Sequence, residues 1–505
     1  MKVYGILAFL GFAVLVSAAV WMGALNQDEG WYLYAAQLVS EGKLLYHDFF
    51  FTQGPGMPVV YSAFARVWQV GGLFGARVLT AAIGTLSILL GVVLVRRLVP
   101  DVRRGLAGVT LFLLLGCNLY HLYYVSIPKT YALAGLWTMA GFLFLHCALA
   151  AGSARRRVAP AVFALSGAAF GFAAATRLSL GLLPAVVGFG LIFGFRRRRW
   201  SFLWFGLGGA VVLALTYGFF LLVPQVRSGF LAAQAYHAAR GGFDPVFAVG
   251  SLSRLVRWYL PLFVVLGLGI ALVFGRRRTG EEASAAPTDG RELLTLMVAG
   301  VVSVFLLQMM APFPYEDYQV PLMGSVAVIA TALFAGRTAS PLAPLLVLGL
   351  AWGCSFGSPL LEEWSTNGKD RFWSLKKEKS ELAQLREMAA TIEALDPGGK
   401  ELLTQDTYLA IETGRHVPKG LEMGPFSILS DAEWRRLLSS APCRVAALSG
   451  YSFAVNPPVC DERPIGQQVE YFEILKRSYD CVLKEEHFGQ NHTTLLVLER
   501  TRDRK

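Results

Sequence analysis

Two adjacent carboxylates follow directly on the first long apolar segment of the chain. The stretch NQDEGWYLYAAQL carries Asp28 and Glu29, and its apolar residues then recur at helical spacing. It predicts a short amphipathic helix that lies in a membrane interface, with both acids in its first turn. A helix dipole keeps carboxylates at that end ionised, so that they are able to accept a proton. Because carboxylates beside hydrocarbon are costly unless they are paired, hydrated or used, this placement indicates a function.

The composition shows which elements must position these acids. Hydrophobic residues make up 54% of the 505 residues and charged residues only 16%, against about 25% in an ordinary soluble domain. The net charge of +11 arises before Ser358, where 26 basic residues face 12 acidic ones; the remainder has 20 and 23. The bases form short Arg clusters between apolar runs, as in cytoplasmic loops, and no aromatic residues are interleaved with them. The chain is therefore expected to be a membrane protein that does not bind nucleic acid.

Apolar runs long enough to cross about 30 Å of hydrocarbon predict eleven transmembrane helices. They lie near 3–25, 76–95, 106–122, 130–150, 160–176, 179–195, 201–223, 256–275, 292–312, 319–336 and 341–357. With Lys2 inside, every Arg cluster falls on the cytoplasmic side, and the outer segments are 26–75, 123–129, 224–255, 313–318 and 358–505. A cleaved signal peptide is the alternative for the first run, although that run is longer than a usual signal core.

Of the 12 acids before Ser358, this topology places seven on the outer side. They are Asp28, Glu29, Glu41, Asp48, Asp244, Glu316 and Asp317. For Glu41 or Asp244 alone, a solvated loop is explanation enough. The Asp28–Glu29 pair beside an aromatic helix is better explained by a site at the outer rim of the membrane.

These features resemble the GT-C glycosyltransferases, and most closely their protein O-mannosyltransferase and aminoarabinose transferase branch. The match begins with a first span, an Asp-Glu pair opening an interfacial helix, and the stretch YHDFFFTQGPGMP before the second span. Three local matches add to it: GFAAATRLSLGLLP, QAYHAARGG and PYEDYQVPL. The resemblance implies a polytopic helical fold of GT-C type, with a catalytic domain over 1–357 whose first outer loop is 26–75.

The implied activity is transfer of a sugar from a polyprenyl-phosphate carrier to a hydroxyl, on the outer face of the inner (plasma) membrane. Such a transfer needs a carboxylate to accept the proton and cationic groups to stabilise the leaving phosphate. Asp28 is the expected base, with Glu29 as its partner or orienter, and Lys129, Arg177 and Arg240 are candidate phosphate binders. Further substrate-binding candidates are His47, Asp48, Gln53, Tyr236, His237, Tyr315, Glu316, Asp317 and Tyr318. Arg177 has a structural alternative as a snorkelling side chain, and Lys129 as a loop cap.

The first loop departs from the family pattern. Aminoarabinose transferases carry an acid and a Lys before a Pro pair there, whereas this chain has Gln53 in place of the acid. No CxxC, HExxH or DxD spacing indicates a metal site. His47, Asp48 and His237 are able to supply one after folding, and oligosaccharyltransferase-like relatives depend on a metal, so a divalent metal stays open as a cofactor.

Residues 358–505 predict a soluble α/β domain outside the membrane. The segment WSLKKEKSELAQLREMAATIEAL has the pattern of an amphipathic helix, and KELLTQD, RVAALSGYSF and HTTLLVLER have that of strands. An oxidising compartment favours a disulfide, and the spacing predicts Cys443 joined to Cys460 with Cys481 left over. The scattered histidines show no ligand spacing.

Two other classes of function share parts of this pattern. A multi-pass transporter has a similar number of spans, but its polar groups usually gather at the bilayer midplane in paired halves. A non-catalytic envelope-assembly factor has no need for the acidic pair. The residues leave open whether the sugar is a hexose or a pentose, and whether the acceptor is a glycan, a lipid or a protein.

Overall fold

The computed structural model describes most of the chain, and the described ranges are 2–151, 158–194, 200–238, 242–278, 288–338, 340, 342–366, 379–427, 429–449, 466–490 and 492–501. The first part of the chain is helical. Its helices are α1 (Lys2–Met22), α2 (Gln27–Ser40), α3 (Gly56–Ser62), α4 (Ala65–Leu98), α5 (Arg104–Gly116), α6 (Leu119–Ser126), α7 (Thr130–Ala150), α8 (Ala159–Thr176), α9 (Leu182–Phe189), α10 (Ser201–Leu222), α11 (Pro224–Ala238), α12 (Pro245–Trp258), α13 (Leu260–Arg278), α14 (Thr288–Met309), α15 (Val320–Ala335), α16 (Ala343–Phe356) and α17 (Pro359–Thr366).

Seven helices among the described residues are long and apolar enough to cross a membrane: α1, α4, α7, α8, α10, α14 and α15. Three helix pairs reach the same length and apolarity only together and are bent: α5 with α6 by 69°, α12 with α13 by 85°, and α16 with α17 by 45°. The chain is therefore a multi-pass membrane protein with seven to ten candidate spans in its described part. The predicted count of eleven is not confirmed, because the segment predicted at 179–195 is the shorter apolar helix Leu178–Gly194.

Small residues bring helices together at the centre of the bundle. Helix α8 packs against α7 and α10 and buries Ser166, Gly167 and Gly171. A Cβ atom at Gly167 would collide with the carbonyl oxygen of Phe205 on α10. Lipid tails give apolar helices no hydrophobic reason to associate, so this close backbone approach supplies the van der Waals contact that holds them.

The predicted helix after the first span is α2, and it begins with a capping box. The side chain of Asn26 accepts a hydrogen bond from the Asp28 amide at 3.1 Å, and the Asn26 amide donates to Glu29 Oε1 at 2.9 Å. The helix does not lie with one face in lipid as predicted. It is buried on nearly all sides, because the C-terminal part of the chain covers the face that the membrane helices leave open.

The C-terminal part combines four helices with one small sheet. Its elements are α18 (Glu381–Leu395), α19 (Thr407–Thr413), α20 (Asp431–Ser440), β1 (Val445–Leu448), α21 (Gly466–Lys476), β2 (Tyr479–Phe488) and β3 (Thr493–Arg500). The strands are antiparallel in the order β1-β3-β2, and register pairs Val445 with Glu499 and Tyr479 with Arg500. The domain boundary at residue 358 stays a prediction.

The sequence-based expectations for this part are met unevenly. Strands β1 and β3 were predicted, whereas KELLTQD forms only isolated bridges, such as Leu403 with Ala446. Helix α18 covers the second half of the predicted helix, whose residues 367–378 lie outside the described part. Cys443 is a free thiol whose pKa burial raises to about 12, and Cys460 lies outside the described residues.

The C-terminal part and α2 share one hydrophobic core, and a glycine sets their distance. A Cβ atom at Gly30 would lie 2.7 Å from the Tyr408 amide nitrogen and 2.8 Å from Thr407 Oγ1, both in α19. Beside this contact, Gln27 Nε2 donates to Asp406 Oδ1 at 2.5 Å. The two parts of the chain therefore hold the first turn of α2, which carries Asp28, between them.

Candidate active site

A cavity of about 770 Å³ opens between the helix bundle and the C-terminal part, at the first turn of α2. Its walls come from α2, from the loop at 52–54, from 124–131, from 177–179, from 307–318 and from the C-terminal residues Met423, Phe426 and Gln490. Eight of the predicted site residues line it: Asp28, Gln53, Lys129, Arg177, Tyr315, Glu316, Asp317 and Tyr318. The fold thus brings together acids and bases that lie almost 300 residues apart in sequence.

Asp28 presents an ionic side chain to this cavity. Its Oδ2 atom lies 2.7 Å from Lys129 Nζ, and its Oδ1 atom accepts a hydrogen bond from Trp31 Nε1 at 3.1 Å. The side chain is 31% exposed, so the carboxylate remains accessible from the cavity. The capping box orients the carboxylate, because the amide of Asp28 is fixed on Asn26.

Lys129 links two carboxylates directly before the start of α7. Besides Asp28, its Nζ atom contacts Asp317 Oδ2 at 3.2 Å, and Tyr131 donates its hydroxyl to the same oxygen at 2.8 Å. Burial by itself lowers the pKa of Lys129, but the carboxylate of Asp28 and then that of Asp317 raise it well above its usual value. The ammonium group is therefore a fixed positive charge between two negative ones.

Arg177 supplies the second cation, at the point where α8 ends. Its guanidinium lies over the rings of Tyr131 and Tyr318, with 5.0 and 4.7 Å to the centroids, and Nη1 is 3.4 Å from Thr130 Oγ1. Its Nε atom is buried and has no hydrogen-bond partner within the described chain. No carboxylate of the described residues forms an ion pair with it. Arg177 is thus a cation of the cavity wall that two aromatic rings hold in one orientation.

Two uncharged residues of this cavity were not predicted. Gln308 Nε2 donates to Ser179 Oγ at 2.8 Å, and Gln308 Oε1 is buried without a partner among the described residues. The sequence contains one weak signal for this pair, because Gln308 is a glutamine inside the apolar run 292–312. The free Oε1 atom is able to accept a hydrogen bond from a ligand hydroxyl or amine.

Glu29, predicted as a catalytic residue that partners or orients Asp28, does not line the cavity. Both its side chain and that of Arg77 are fully buried, and they form a two-pronged ion pair with distances of 2.6 and 2.9 Å. The carboxylate also closes the capping box of α2. It acts on Asp28 only indirectly, by fixing the start of the helix.

His47 and Asp48 also lie away from the cavity, because their loop turns toward solvent. They contact each other at 2.9 Å, and both are substantially exposed. The Leu44 amide and His47 lower the pKa of Asp48. Tyr236 packs its ring near Phe50, at 6.1 Å between centroids, and does not line the cavity. The side chain of His237 and the whole of Arg240 lie outside the described residues.

Glu316 lines the cavity but is already paired. Arg254 Nε lies 3.1 Å from Glu316 Oε1, and Ser251 donates to Oε2 at 3.1 Å. Its role here is therefore to join α12 to the cavity wall.

The cavity residues do not fit a divalent metal. A metal site needs several free carboxylate or imidazole ligands, and the two carboxylates that converge here already share the ammonium group of Lys129. Across the described ranges, no three His, Cys, Asp or Glu side chains are grouped closely enough to hold an ion.

Neither a family model nor a curated protein matches this sequence. Solved structures do match. ArnT from Cupriavidus metallidurans bound to undecaprenyl phosphate is 14% identical and has a TM-score of 0.64, with 98% of each chain covered. Its apo state gives a TM-score of 0.65 at the same identity and coverage. An Archaeoglobus fulgidus oligosaccharyltransferase gives 0.48 at 12% identity, over 96% of this chain and 72% of that one. ArnT is an aminoarabinose transferase of the GT-C glycosyltransferases, so the predicted GT-C fold is confirmed.

Proposed function

From this GT-C fold and cavity, we propose that the protein is a membrane glycosyltransferase which moves a sugar from a polyprenyl-phosphate carrier to an acceptor hydroxyl. The observation that carries the proposal is the grouping of one accessible carboxylate, Asp28, with two fixed cations, Lys129 and Arg177. The chemistry takes place on the outer face of the inner membrane, where the topology predicted from the Arg clusters places 26–75 and the C-terminal part.

The charges of the cavity favour a phosphate ligand. Lys129 is balanced by Asp28 and Asp317, and Glu316 is balanced by Arg254. Arg177 is the cation without a carboxylate partner in the described chain, and its planar guanidinium suits two-pronged contact with phosphate oxygens. ArnT, which shares the fold, has been crystallised with undecaprenyl phosphate. A lipid phosphate is therefore the ligand that we assign to Arg177.

The reaction follows from these positions. Asp28 accepts the proton of the acceptor hydroxyl as its oxygen attacks the anomeric carbon, and the bond from that carbon to the phosphate oxygen breaks. Negative charge that develops on the leaving phosphate is stabilised by Arg177 and Lys129, which are already in place and need no reorganisation. The contact with Lys129, at 2.7 Å, holds the Asp28 carboxylate in position before the acceptor arrives. Gln308 accepts a hydrogen bond from a polar group of the donor.

The cavity also suits an amphipathic donor. Leu307, Ala311 and Phe313 form an apolar part of its wall next to α14, while the charged groups lie toward α2. A polyprenyl tail then stays in the bilayer and its phosphate stays at the rim. The transferred group is a hexose or pentose, and the acceptor is a hydroxyl of an envelope glycan, lipid or protein.

The test is single-turnover transfer from a defined polyprenyl-phosphate sugar by purified variants in nanodiscs. Asp28→Asn preserves shape but removes proton acceptance, so the rate should fall by at least about 10²-fold while donor binding survives. The matched control is Asp101→Asn, the same change at an exposed carboxylate far from the cavity, and it should transfer at the wild-type rate.

Arg177→Ala separates donor binding from proton transfer. It should weaken binding of the polyprenyl phosphate, and Arg177→Lys should restore it only in part because the planar two-pronged contact is lost. Full transfer by Asp28→Asn would eliminate the proposed base. If the protein were a transporter or an assembly factor, neither the wild type nor any of these variants would transfer the sugar.

A further inference from the structure

The three bent helix pairs break around one pocket of about 180 Å³. Its walls contain the start of α6, the junction of α12 with α13 and the junction of α16 with α17. Asn118 Nδ2 donates to the Trp258 carbonyl at 3.1 Å, and the Leu119 amide donates to Ser355 Oγ at 3.1 Å. These bonds tie the three breaks together, so the pocket is a fixed feature of the fold. It shares none of its described lining residues with the cavity at Asp28.

Arg257 is the described residue that brings positive charge to the pocket. It lines the pocket with its guanidinium 5.8 Å from the ring of Trp258. The helix ends add no net charge, because α5, α12 and α16 end where α6, α13 and α17 begin and their opposite dipole ends meet. No described carboxylate forms an ion pair with Arg257.

A buried hydroxyl group also favours an anion in this pocket. Tyr120 is 4% exposed and lines the pocket, and its hydroxyl has no hydrogen-bond partner within the described residues. Its ring stacks on Trp258 at 4.9 Å, which holds it in place. A buried donor without an acceptor costs free energy, and an anion in the pocket would satisfy it.

The source of the anion follows from α12. This helix exposes Val246, Val249, Leu252 and Val256 at helical spacing, and it is bent by 85° from α13. If α13 crosses the bilayer, α12 lies along the membrane boundary with these residues in lipid, and Arg257 at its end lies among the headgroups. We propose that this pocket binds the phosphate of an anionic membrane phospholipid, separately from the sugar donor.

The test uses the full chain in neutral detergent, titrated with phosphatidylglycerol, phosphatidylcholine or inorganic phosphate. Thermal unfolding and native mass spectrometry report stabilisation and retained lipid. Phosphatidylglycerol should raise the unfolding temperature and remain bound, with the other two giving little effect. Arg257→Gln should raise the half-saturating concentration about tenfold, the size expected for one charge-assisted hydrogen bond. Arg227→Gln on α11 is the control, because it removes the same charge from an exposed arginine outside the pocket.

Tyr120→Phe is a second variant that removes the hydroxyl without changing the net charge or the folding of the protein. Without lipid it should unfold no earlier than the wild type, since the lost hydroxyl has no partner in the described chain, yet it should bind phosphatidylglycerol several-fold more weakly. An unchanged lipid response in Arg257→Gln, or an equal loss in Arg227→Gln, would overturn the proposal. Equal stabilisation by phosphatidylcholine or by inorganic phosphate would do the same.

Discussion

The ion pair between Arg77 and Glu29 should be the strongest single determinant of how α2 is held. Arg77 donates to both oxygens of Glu29, to the Gly23 carbonyl at 2.8 Å and to the Ala24 carbonyl at 3.0 Å. It therefore joins the segment between α1 and α2 to the first turn of α2. Replacement by methionine keeps the unbranched apolar stem of the side chain but leaves a buried carboxylate and these carbonyl oxygens without their donor.

The expected magnitude follows from complete burial of both partners. Breaking a buried pair by removing one charge costs about 3–5 kcal/mol, because the remaining charge is uncompensated. With about 2.1 cal/mol/K of unfolding entropy per residue, this lowers the unfolding temperature by roughly 3–5 °C if the whole chain unfolds together. The double variant Arg77→Met/Glu29→Gln removes both charges and should recover part of that loss.

The assay is a double-mutant cycle read by thermal unfolding and by single-turnover transfer. Arg77→Met should also slow transfer, since Asp28 is adjacent to Glu29 and shares its helix start. Arg66→Met, at an exposed arginine on the first turn of α4, is the control and should leave both readouts unchanged. An unfolding temperature for Arg77→Met equal to that of the wild type would refute the reasoning, and so would a double variant less stable than the single one.

Three further predictions concern the cavity. Lys129→Met should leave Asp28 and Asp317 facing each other without their shared cation and should reduce single-turnover transfer by about 10²-fold or more, with Lys129→Arg intermediate. The two carboxylates outweigh burial and raise the pKa of Lys129, so this side chain stays protonated below its ordinary pKa of about 10.5. Donor affinity measured by calorimetry should therefore be constant from pH 7 to 9. A steep loss of affinity by pH 9 would contradict the assignment of Lys129 as a phosphate binder. Gly30→Val should drive α2 away from the Tyr408 amide and loosen the C-terminal part, which faster limited proteolysis near α19 and slower transfer would reveal. Gly42→Val is the control for backbone strain, because a Cβ atom there meets no neighbour within 4 Å and causes no such collision.

Charged side chains beside apolar runs were the informative part of the sequence. Asp28, Lys129 and Arg177 stand out because a chain with few charges has to give each one a partner or a use. The structure brings all three to one cavity, and their roles in transfer remain proposals. The burial of Glu29 was not foreseen, because its partner, Arg77, lies 48 residues away within an apolar helix and such pairing is decided only by packing.

Uncharged and distant contributions escaped prediction. Gln308 and Ser179 carry no charge, and Met423, Phe426 and Gln490 reach the cavity from loops of the C-terminal part, where no periodicity marks them. Strand β2 was missed because most of its side chains are exposed and four of its ten residues are charged. The sequence does contain local signals for the three helix breaks: Asn118 caps α6, and Pro261 and Pro359 stand at the starts of α13 and α17. The long apolar runs around these residues favoured the prediction of unbroken spans instead.

The position of Gln490 in the cavity wall bears on the biosynthesis of the protein. Its side-chain oxygen accepts a hydrogen bond from the Gln27 amide at 2.8 Å, although 463 residues separate the two in sequence. A nascent chain whose membrane helices are already inserted therefore still lacks part of its cavity wall. Assembly of the site therefore waits until Gln490 has been synthesised, and shorter nascent chains have no finished cavity in which to engage lipid substrates prematurely.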